Sequence, residues 1–330
     1  MVDYGTQMPG NASTGRSGGE RTDDMANKKT SIGGQALLEG IMMRGPKMSA
    51  MAVRNPQGEI VLEEWPTAGV KRAKVLQLPF VRGIFNLVDS LRMGYKCLMR
   101  SAEIAGLDED EAKKEPKWYD KLFDAILMPL SVVLAVVICF GLFLYAPAQL
   151  YNWLCIPFPA LKDMYMLRSV FEGVLRIILF VGYVAATSLS KDIRRTYMYH
   201  GAEHKTIFCY EAGLPLTVEN VRKQSRFHPR CGTSFMILVL IVGIVISFFI
   251  HIQNPLLRAV VKLPLLPLIA GIGYELIKLA GRKDNLLTRI ISAPGMWLQH
   301  ITVKEPEDSM IECAIRAMEI AIPGDDSDQY

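Results

Sequence analysis

The segment that decides the fold class is residues 235–252, which read FMILVLIVGIVISFFIHI. This segment is apolar throughout, and its length suits a hydrocarbon core about 30 Å thick. Half of the 330 residues of the whole chain are hydrophobic and the mean hydropathy is positive, which points to membrane spans. We therefore predict an α-helical integral membrane protein.

Three further apolar segments predict spans of the same kind, which makes four in total. They are residues 122–145, 170–189 and 256–279. The second of these contains Glu172 and Arg176 four residues apart, a spacing that predicts an ion pair on one helix face. The last contains two prolines, with Arg258 and Lys262 near one end. We expect these two charges to reach the membrane surface, and a broken or re-entrant helix is the alternative to a continuous span.

Lysine and arginine are unevenly distributed around the predicted spans. They are frequent before the first span, between the second and third spans and after the fourth, and they are sparse in the other two connections. Because cytoplasmic loops carry the excess of these residues, we expect both termini to lie in the cytosol. The polar N-terminus does not have the pattern of a cleavable signal peptide.

Net charge and cysteine usage narrow the class of partners. The formal net charge is only +4, so we expect no specific nucleic-acid partner. The six cysteines are scattered, and most of them fall on segments placed in the cytosol, so we expect reduced thiols. The basic residues of the second loop favour contact with membrane lipids.

The parts outside the spans are predicted to form a small cytosolic α+β domain and a C-terminal region. Residues 1–30 are polar and are predicted to be a disordered tail, followed by a domain over 31–121. In that domain the glycine-rich stretch 33–46 lacks a phosphate-binding pattern, so tight turns are preferred. The remaining elements are a β-hairpin of residues 49–54 and 59–65, an amphipathic helix of residues 79–105 and an acidic linker of residues 108–115.

The amphipathic helix has two compatible interpretations, namely that it lies on an anionic membrane surface or that it packs against the hairpin and the spans. Beyond the membrane domain, which is predicted over residues 122–284, we expect an interfacial segment and then a last helix over residues 308–320. This helix has one apolar face and is predicted to dock on the cytosolic domain.

The candidate site lies in the predicted cytosolic loop 190–234. The second span is predicted to continue as a helix through residues 192–210, and His200 and His204 then project from one face of it. His-x-x-Glu-His is the inverted zinc signature, in which two histidines bind the metal and Glu203 polarises a water molecule. We therefore predict a zinc site with Glu203 as its catalytic residue.

A third ligand has to come from elsewhere, and Glu211, His228 and Cys231 are the candidates. Four ligands would make the site structural, whereas three ligands and an open position would make it catalytic. A different interpretation needs no metal. In that interpretation the histidines bond interfacial carbonyls or phospholipid phosphates, aided by the three basic residues Arg194, Arg195 and Lys205.

Several stretches resemble the YqhQ-like family of bacterial multi-span membrane proteins. They are residues 33–46, 79–83, 200–205, 227–235 and 294–299, which read GGQALLEGIMMRGP, PFVRG, HGAEHK, FHPRCGTSF and PGMWLQ. The resemblance covers about residues 31–320 and leaves out the N-terminal tail. It implies a bacterial plasma-membrane protein. The function of this family is unknown, and its members are labelled predicted metal-dependent enzymes.

Two functions of different classes are compatible with these observations. The first is a zinc-dependent hydrolase at the cytosolic face, with a membrane peptide or a lipid head group as its substrate. The second is an assembly or scaffolding factor in which a structural zinc site stabilises the fold and the basic loop binds lipid, a ribosome, another membrane protein or a second copy of the chain. Transport is a third function, but the predicted spans contain few polar residues for it.

Overall fold

The structure is a computed structural model, and it describes residues 29–67, 78, 81–107, 130–282 and 285–329. The predicted disordered tail, except for its last two residues, and the predicted acidic linker lie outside the described residues. So do residues 122–129, which begin the first predicted span. The predicted domain boundaries at residues 121 and 284 stay predictions.

The N-terminal part forms a four-stranded antiparallel sheet with the order β1-β2-β3-β4. The strands are β1 Gly33–Leu37, β2 Gly40–Arg44, β3 Met48–Arg54 and β4 Ile60–Pro66. The predicted β-hairpin is confirmed as β3 and β4. The prediction of tight turns over residues 33–46 is wrong, because this stretch supplies β1 and β2.

The glycines of that stretch allow close approach between strands. A Cβ atom on Gly34 would lie 2.7 Å from the carbonyl oxygen of Met42, and one on Gly40 would lie 2.5 Å from that of Ala52. Glu39, in the turn between β1 and β2, is the only non-glycine residue in the described part of the chain with a positive φ, which is 52°. Glycine inside a strand often marks such a close contact. Since glycine is also typical of turns, composition alone did not distinguish the two.

Helices make up most of the remaining described chain. They are α1 Val81–Ile104, α2 Leu130–Leu154, α3 Tyr165–Thr187, α4 Lys191–Glu211, α5 Val218–Arg222, α6 Gly232–Ser247, α7 Pro255–Lys262, α8 Leu266–Arg282, α9 Leu286–Thr302 and α10 Asp308–Ala321. Helix α2 contains a π-helical stretch at Gly141–Tyr145.

Among the described residues, α2 and α3 are each long and apolar enough to cross a membrane. Helices α7 and α8 qualify together as one span that is bent by 52°, which agrees with the predicted broken helix. Helix α6 occupies the third predicted span and is apolar, but it has only 16 residues. The structure thus supports two to three membrane-spanning elements where four were predicted.

The second predicted span does not continue directly into the site helix. Helix α3 ends at Thr187, and three serine and leucine residues form a turn before α4 begins at Lys191. Ser190 has an extended backbone conformation, with φ −65° and ψ 136°. This break separates α4 from α3, and α4 packs on β1, β2 and α10.

The C-terminal helix α10 covers the sheet, as predicted. Its buried residues Ala314 and Met318 belong to one apolar core with Ile41 and Met43 of β2. Because removing apolar surface from water is the main favourable contribution to folding, this contact stabilises the sheet and α10 together. The last described residues also return to the start of the sheet, where Thr30 and Gln329 form a β-bridge.

The predicted amphipathic helix is confirmed as α1. Towards the end of α1, Cys97 packs with Leu37 in a second apolar core. Near the start of α1, Arg82 donates hydrogen bonds of 2.7 and 2.5 Å to Glu275 of α8. Packing against the sheet and a membrane helix is therefore present. An exposed apolar stripe remains for the predicted lipid contact, and it consists of Val88, Leu91, Tyr95 and Met99.

The predicted interfacial segment after the membrane domain forms α9. Asn285 and Thr288 build a capping box at its start, and the helix packs on α6 and α8. A Cβ atom on Gly295 would lie 2.4 Å from the Cα of Ser234, so the two backbones are in close contact. Trp297 is exposed on the opposite side, a placement typical of an interfacial aromatic residue.

The membrane helices bury more charge than the sequence suggested. Glu172 does not bond its predicted partner Arg176. Its carboxylate instead accepts hydrogen bonds from Arg168, Arg258 and Lys262 at 2.9, 2.9 and 2.6 Å. The expectation that Arg258 and Lys262 reach the membrane surface is also wrong, because they are 0% and 4% exposed. Arg258 and Lys262 point inward because the carboxylate of Glu172 neutralises their charge inside the protein.

Candidate metal centre

The site lies where α4, α6 and α9 meet. His200 and His204 are one turn apart on α4, so their rings lie on the same face. Cys231 directly precedes α6, and Thr302 is the last residue of α9. Three separate parts of the chain thus supply the polar groups of the site.

Three of the predicted ligands form one group. His200, His204 and Cys231 each offer a ligand atom, and these atoms lie within 4.8 Å of one another. The Nε2 of His200 is 3.1 Å from the Sγ of Cys231. Cys231 and His204 are buried and His200 is half-buried. Imidazole and thiolate at this spacing are suitable ligands for a single transition-metal ion.

The hydrogen bonds of the two histidines direct their Nε2 atoms to this group. The Nδ1 of His200 is 3.1 Å from the carbonyl oxygen of Thr302, and that of His204 is 2.6 Å from that of Arg226. Because a carbonyl can only accept, each Nδ1 carries a proton, and the Nε2 of a neutral ring keeps a free lone pair. Metal-binding histidines usually donate their other N–H to such a carbonyl or to a carboxylate.

One atom of the group lacks a protein partner. The Nε2 of His204 is buried and has no hydrogen-bond partner among the described residues. Buried polar atoms without a partner are rare in folded proteins and call for an explanation. A bound metal ion would supply that partner, so the residues fit such a group.

Glu203 lies beside His204 and contacts the sheet. Its carboxylate accepts a hydrogen bond of 3.0 Å from the N–H of Gly34 in β1, and it is 6% exposed. Its other oxygen has no hydrogen-bond partner among the described residues. Burial raises the pKa of Glu203, which outweighs the lowering by His200 and by the Gly34 hydrogen bond. A carboxyl group with a raised pKa is suited to proton transfer.

His228 and Glu211, the other two predicted ligands, are linked by Arg230 instead. The guanidinium bonds the carboxylate of Glu211 and lies 3.2 Å from the Nε2 of His228. Burial, and then the neighbouring His204 and Arg230, hold the pKa of His228 well below its usual range. The ring of His228 is nevertheless close, with its centroid 5.4 Å from that of His204. His228 therefore borders the group without joining it.

The residues that hold these side chains in place were not predicted from the sequence. Gln299 of α9 accepts a hydrogen bond from the backbone N–H of His228 and donates one to its carbonyl, both 2.8 Å long. A glutamine near the end of a predicted interfacial segment gave no sign of this role. The carbonyls of Thr302 and Arg226 have no sequence signal at all, since every residue carries one.

The basic residues around the site are largely engaged within the protein. Lys205 donates a hydrogen bond of 2.9 Å to the carbonyl of Arg222 and pairs with Glu305. Arg195 donates two hydrogen bonds of 2.6 Å to Glu39 of the turn between β1 and β2. Because Lys205 and Arg195 are already bonded within the protein, they are less available to bind lipid phosphates. The interpretation without a metal requires them for that purpose.

Gly201 is expected to be essential to the geometry of the site. A Cβ atom there would lie 2.0 Å from the carbonyl oxygen of Lys304, which crosses α4 next to Thr302. We expect Gly201→Ala to lower the free energy of unfolding by about 1–3 kcal/mol, because inserted atoms force the backbone apart. Chemical denaturation of the purified protein measures this loss.

A matched control for that substitution is Gly182→Ala in α3, where an added Cβ meets nothing within 4 Å. Since alanine is a better helix former than glycine, this variant should be as stable as the wild type or more so. Equal stability of the two variants would contradict the close contact at Gly201.

Comparison with known proteins places the chain in a family. No solved structure matches it. The chain is 34% identical over 293 residues to the uncharacterized protein YqhQ of Bacillus subtilis (strain 168), an alignment that covers 86% of this chain and 90% of that protein. The family model described as a protein of unknown function, DUF1385, matches residues 78–323, which include the candidate metal ligands. The chain therefore belongs to the DUF1385 family, and its resemblance to the YqhQ-like proteins is confirmed.

Proposed function

We propose that the protein is a zinc-dependent hydrolase that acts at the cytosolic face of the bacterial plasma membrane. The observation that carries the proposal is the convergence of His200, His204 and Cys231, whose ligand atoms lie within 4.8 Å of one another. Zinc is favoured because a mixed nitrogen and sulfur donor set is typical of its sites. Three protein ligands leave a coordination position open for chemistry.

Each residue of the site has a distinct role in this proposal. His200, His204 and Cys231 would hold a zinc ion, which would supply the Lewis-acid chemistry that activates water and polarises a carbonyl or phosphoryl group. Glu203 acts as the general base and accepts a proton on its free oxygen, while the Gly34 N–H fixes the other oxygen. The carbonyls of Thr302 and Arg226 orient the two imidazoles.

The proposed substrate is a membrane peptide or a lipid head group. A cavity of about 420 Å³ between the sheet and α1 is bordered by Gly34, the residue whose N–H holds Glu203. Its lining combines the polar side chains of Arg44 and Ser90 with the apolar ones of Met42 and Met93. Such a mixed lining suits an amphiphilic molecule.

The cytosolic location of the site rests on a proposed topology of four spans, formed by α2, α3, α6 and the bent pair α7–α8. Helix α6 has 16 residues and reaches about 24 Å, so it needs the apolar residues after it to complete a crossing. The distribution of lysine and arginine supports placing both termini, and with them the metal centre, in the cytosol.

A non-enzymatic assembly or scaffolding factor is the second candidate. The observation that favours it is that the metal group links α4 to the start of α6, and that the Thr302 carbonyl of α9 bonds His200, as expected for a metal that stabilises the fold. His228 is close enough to serve as a fourth ligand if Arg230 moves, since its ring centroid is 5.4 Å from that of His204. A closed shell of four ligands would leave no position for a substrate.

Metal content of the detergent-purified full chain tests the proposal. We expect about one zinc per chain in the wild type, and a loss of most of it in His204→Ala and in Cys231→Ala, because each variant removes one of three ligands. Elemental analysis after purification without chelators gives the ratio. His251→Ala is the control, since this exposed histidine makes an edge-to-face contact with Tyr165 outside the metal group and should leave the zinc content unchanged.

A wild-type protein without metal would overturn the proposal, and so would equal zinc content in all four proteins. Loss of zinc in His204→Ala but not in Cys231→Ala would show that Cys231 does not bind the same ion as His204, and it would contradict the three-ligand group.

A further inference from the structure

A cluster of buried charges lies in the membrane helices and is separate from the metal centre. Arg168, Arg176, Arg258 and Lys262 surround Glu172, and each of these five side chains is at most 7% exposed. Glu172 lies fifteen residues, or about 22 Å along the axis, before the end of α3 from which the chain leads to α4. The cluster has no role in the hydrolase mechanism.

Positive charge exceeds negative charge in this cluster. Glu172 is the only buried carboxylate in the described parts of α2, α3 and α6–α8. Both of its oxygens are already used, by Arg168, Arg258 and Lys262. A surplus of cations inside a membrane-spanning bundle is costly, because neither lipid nor apolar side chains can solvate them.

Arg176 is the cation that Glu172 does not bond. Its Nε donates a hydrogen bond of 2.8 Å to the carbonyl of Phe143, in the π-helical stretch of α2. Its Nη2 is buried and has no hydrogen-bond partner among the described residues. Since hydrogen-bonding groups buried in proteins almost always have partners, this guanidinium is set up to receive one.

A cavity of about 60 Å³ lies at this position. It is bordered by Arg176, Lys262 and Ser247, and most of the rest of its lining is apolar, with side chains such as Val239, Ile246 and Ile269. Its volume is about that of two water molecules in the liquid. It therefore has room for a small ion but not for a phospholipid head group with its glycerol.

We propose that this cavity binds a small monovalent anion, with chloride as the physiological ion. Arg176 donates from its unpartnered Nη2, and Lys262, which also lines the cavity, contributes positive charge. The anion offsets one of the three positive charges that remain when four cations face Glu172 alone. The largely apolar lining strengthens the attraction between the ion and the two cations, because charges interact more strongly in surroundings of low polarity. The site is independent of the metal centre and of its chemistry.

Equilibrium binding of radioactive chloride to the detergent-purified full chain tests this proposal. Ionic strength is held constant with sodium gluconate, whose anion is too large for the cavity. We expect saturable binding of about one chloride per chain, with bromide as a competitor. Arg176→Gln is expected to weaken binding at least tenfold, because it removes the charge at the cavity. Arg316→Gln, which changes an exposed arginine of α10, should bind as the wild type does.

The wild-type measurement decides the proposal even if Arg176→Gln does not fold. Absence of saturable chloride binding would overturn it, and so would competition by gluconate as strong as that by bromide. The same protein is also tested in micelles containing phosphatidylglycerol. Stabilisation by this lipid without any chloride binding would assign the cations to a lipid phosphate and show that the proposed ion is wrong.

Discussion

Replacing Glu203 with glutamine is expected to lower the rate of hydrolysis about 10²- to 10⁴-fold while zinc remains bound, which is the contribution typical of a general base. The amide oxygen can still accept the hydrogen bond from Gly34 that the carboxylate accepts at 3.0 Å. The amide cannot take up a proton. Shape and metal are therefore kept, and only the proton transfer is lost.

The measurement uses mass spectrometry to follow product release from phosphatidylglycerol vesicles and from detergent-solubilised membrane peptides. Zinc content is determined on the same samples. Glu219→Gln is the matched control, because Glu219 is exposed on α5 and forms a solvent-exposed ion pair with Lys223, away from the metal group. If Glu203→Gln turns over substrate at the wild-type rate with its zinc intact, Glu203 is not the general base. That result would favour the second candidate function, in which the metal is structural.

The second large effect is expected at Glu172. Glu172→Gln should lower the free energy of unfolding by about 3–5 kcal/mol, the usual loss when one partner of a buried ion pair is removed. The reason is that Arg168, Arg258 and Lys262 would then be left without the carboxylate that they share. Titration of the detergent-solubilised protein with a denaturing detergent measures the loss.

Glu275→Gln in α8 provides the comparison for this experiment. Its ion pair with Arg82 is partly open to solvent, with side-chain exposures of 21% and 32%. Partly exposed pairs contribute about 1 kcal/mol or less. A loss at Glu172 that is no larger than the loss at Glu275 would show that the buried cluster does not hold the membrane helices together.

The sequence predicted those parts of the fold that depend on periodic patterns. The hairpin β3–β4, the amphipathic helix α1 and the last helix α10 all follow from local alternation or from helical spacing of apolar residues. Strands β1 and β2 were missed because Gly34 and Gly40 are needed for contacts with other strands, and a neighbouring strand leaves no local pattern. The break at Ser190 was missed for a similar reason, since neither proline nor glycine marks it.

The metal group was predicted only in part. The i, i+4 spacing of His200 and His204 placed two ligands together, and Cys231 was one of three candidates for the third. Choosing among the candidates depended on Arg230, whose guanidinium engages both His228 and Glu211. Tertiary packing determines which of these side chains bond one another, and the spacing of residues along the sequence does not predict it. Tertiary packing also explains why Arg258 and Lys262 point into the protein and bond Glu172, which their sequence positions did not predict.

The contact between Thr30 and Asp328, separated by 298 positions along the chain, has a consequence for biosynthesis. A ribosome makes the sheet first and its cover, α10, last. Ile41 and Met43 therefore lack their partners on α10, such as Ala314 and Met318, until the membrane helices that precede α10 have been made. Completion of the N-terminal layer must therefore wait until α10 has been translated, and one face of the nascent sheet stays partly uncovered until then.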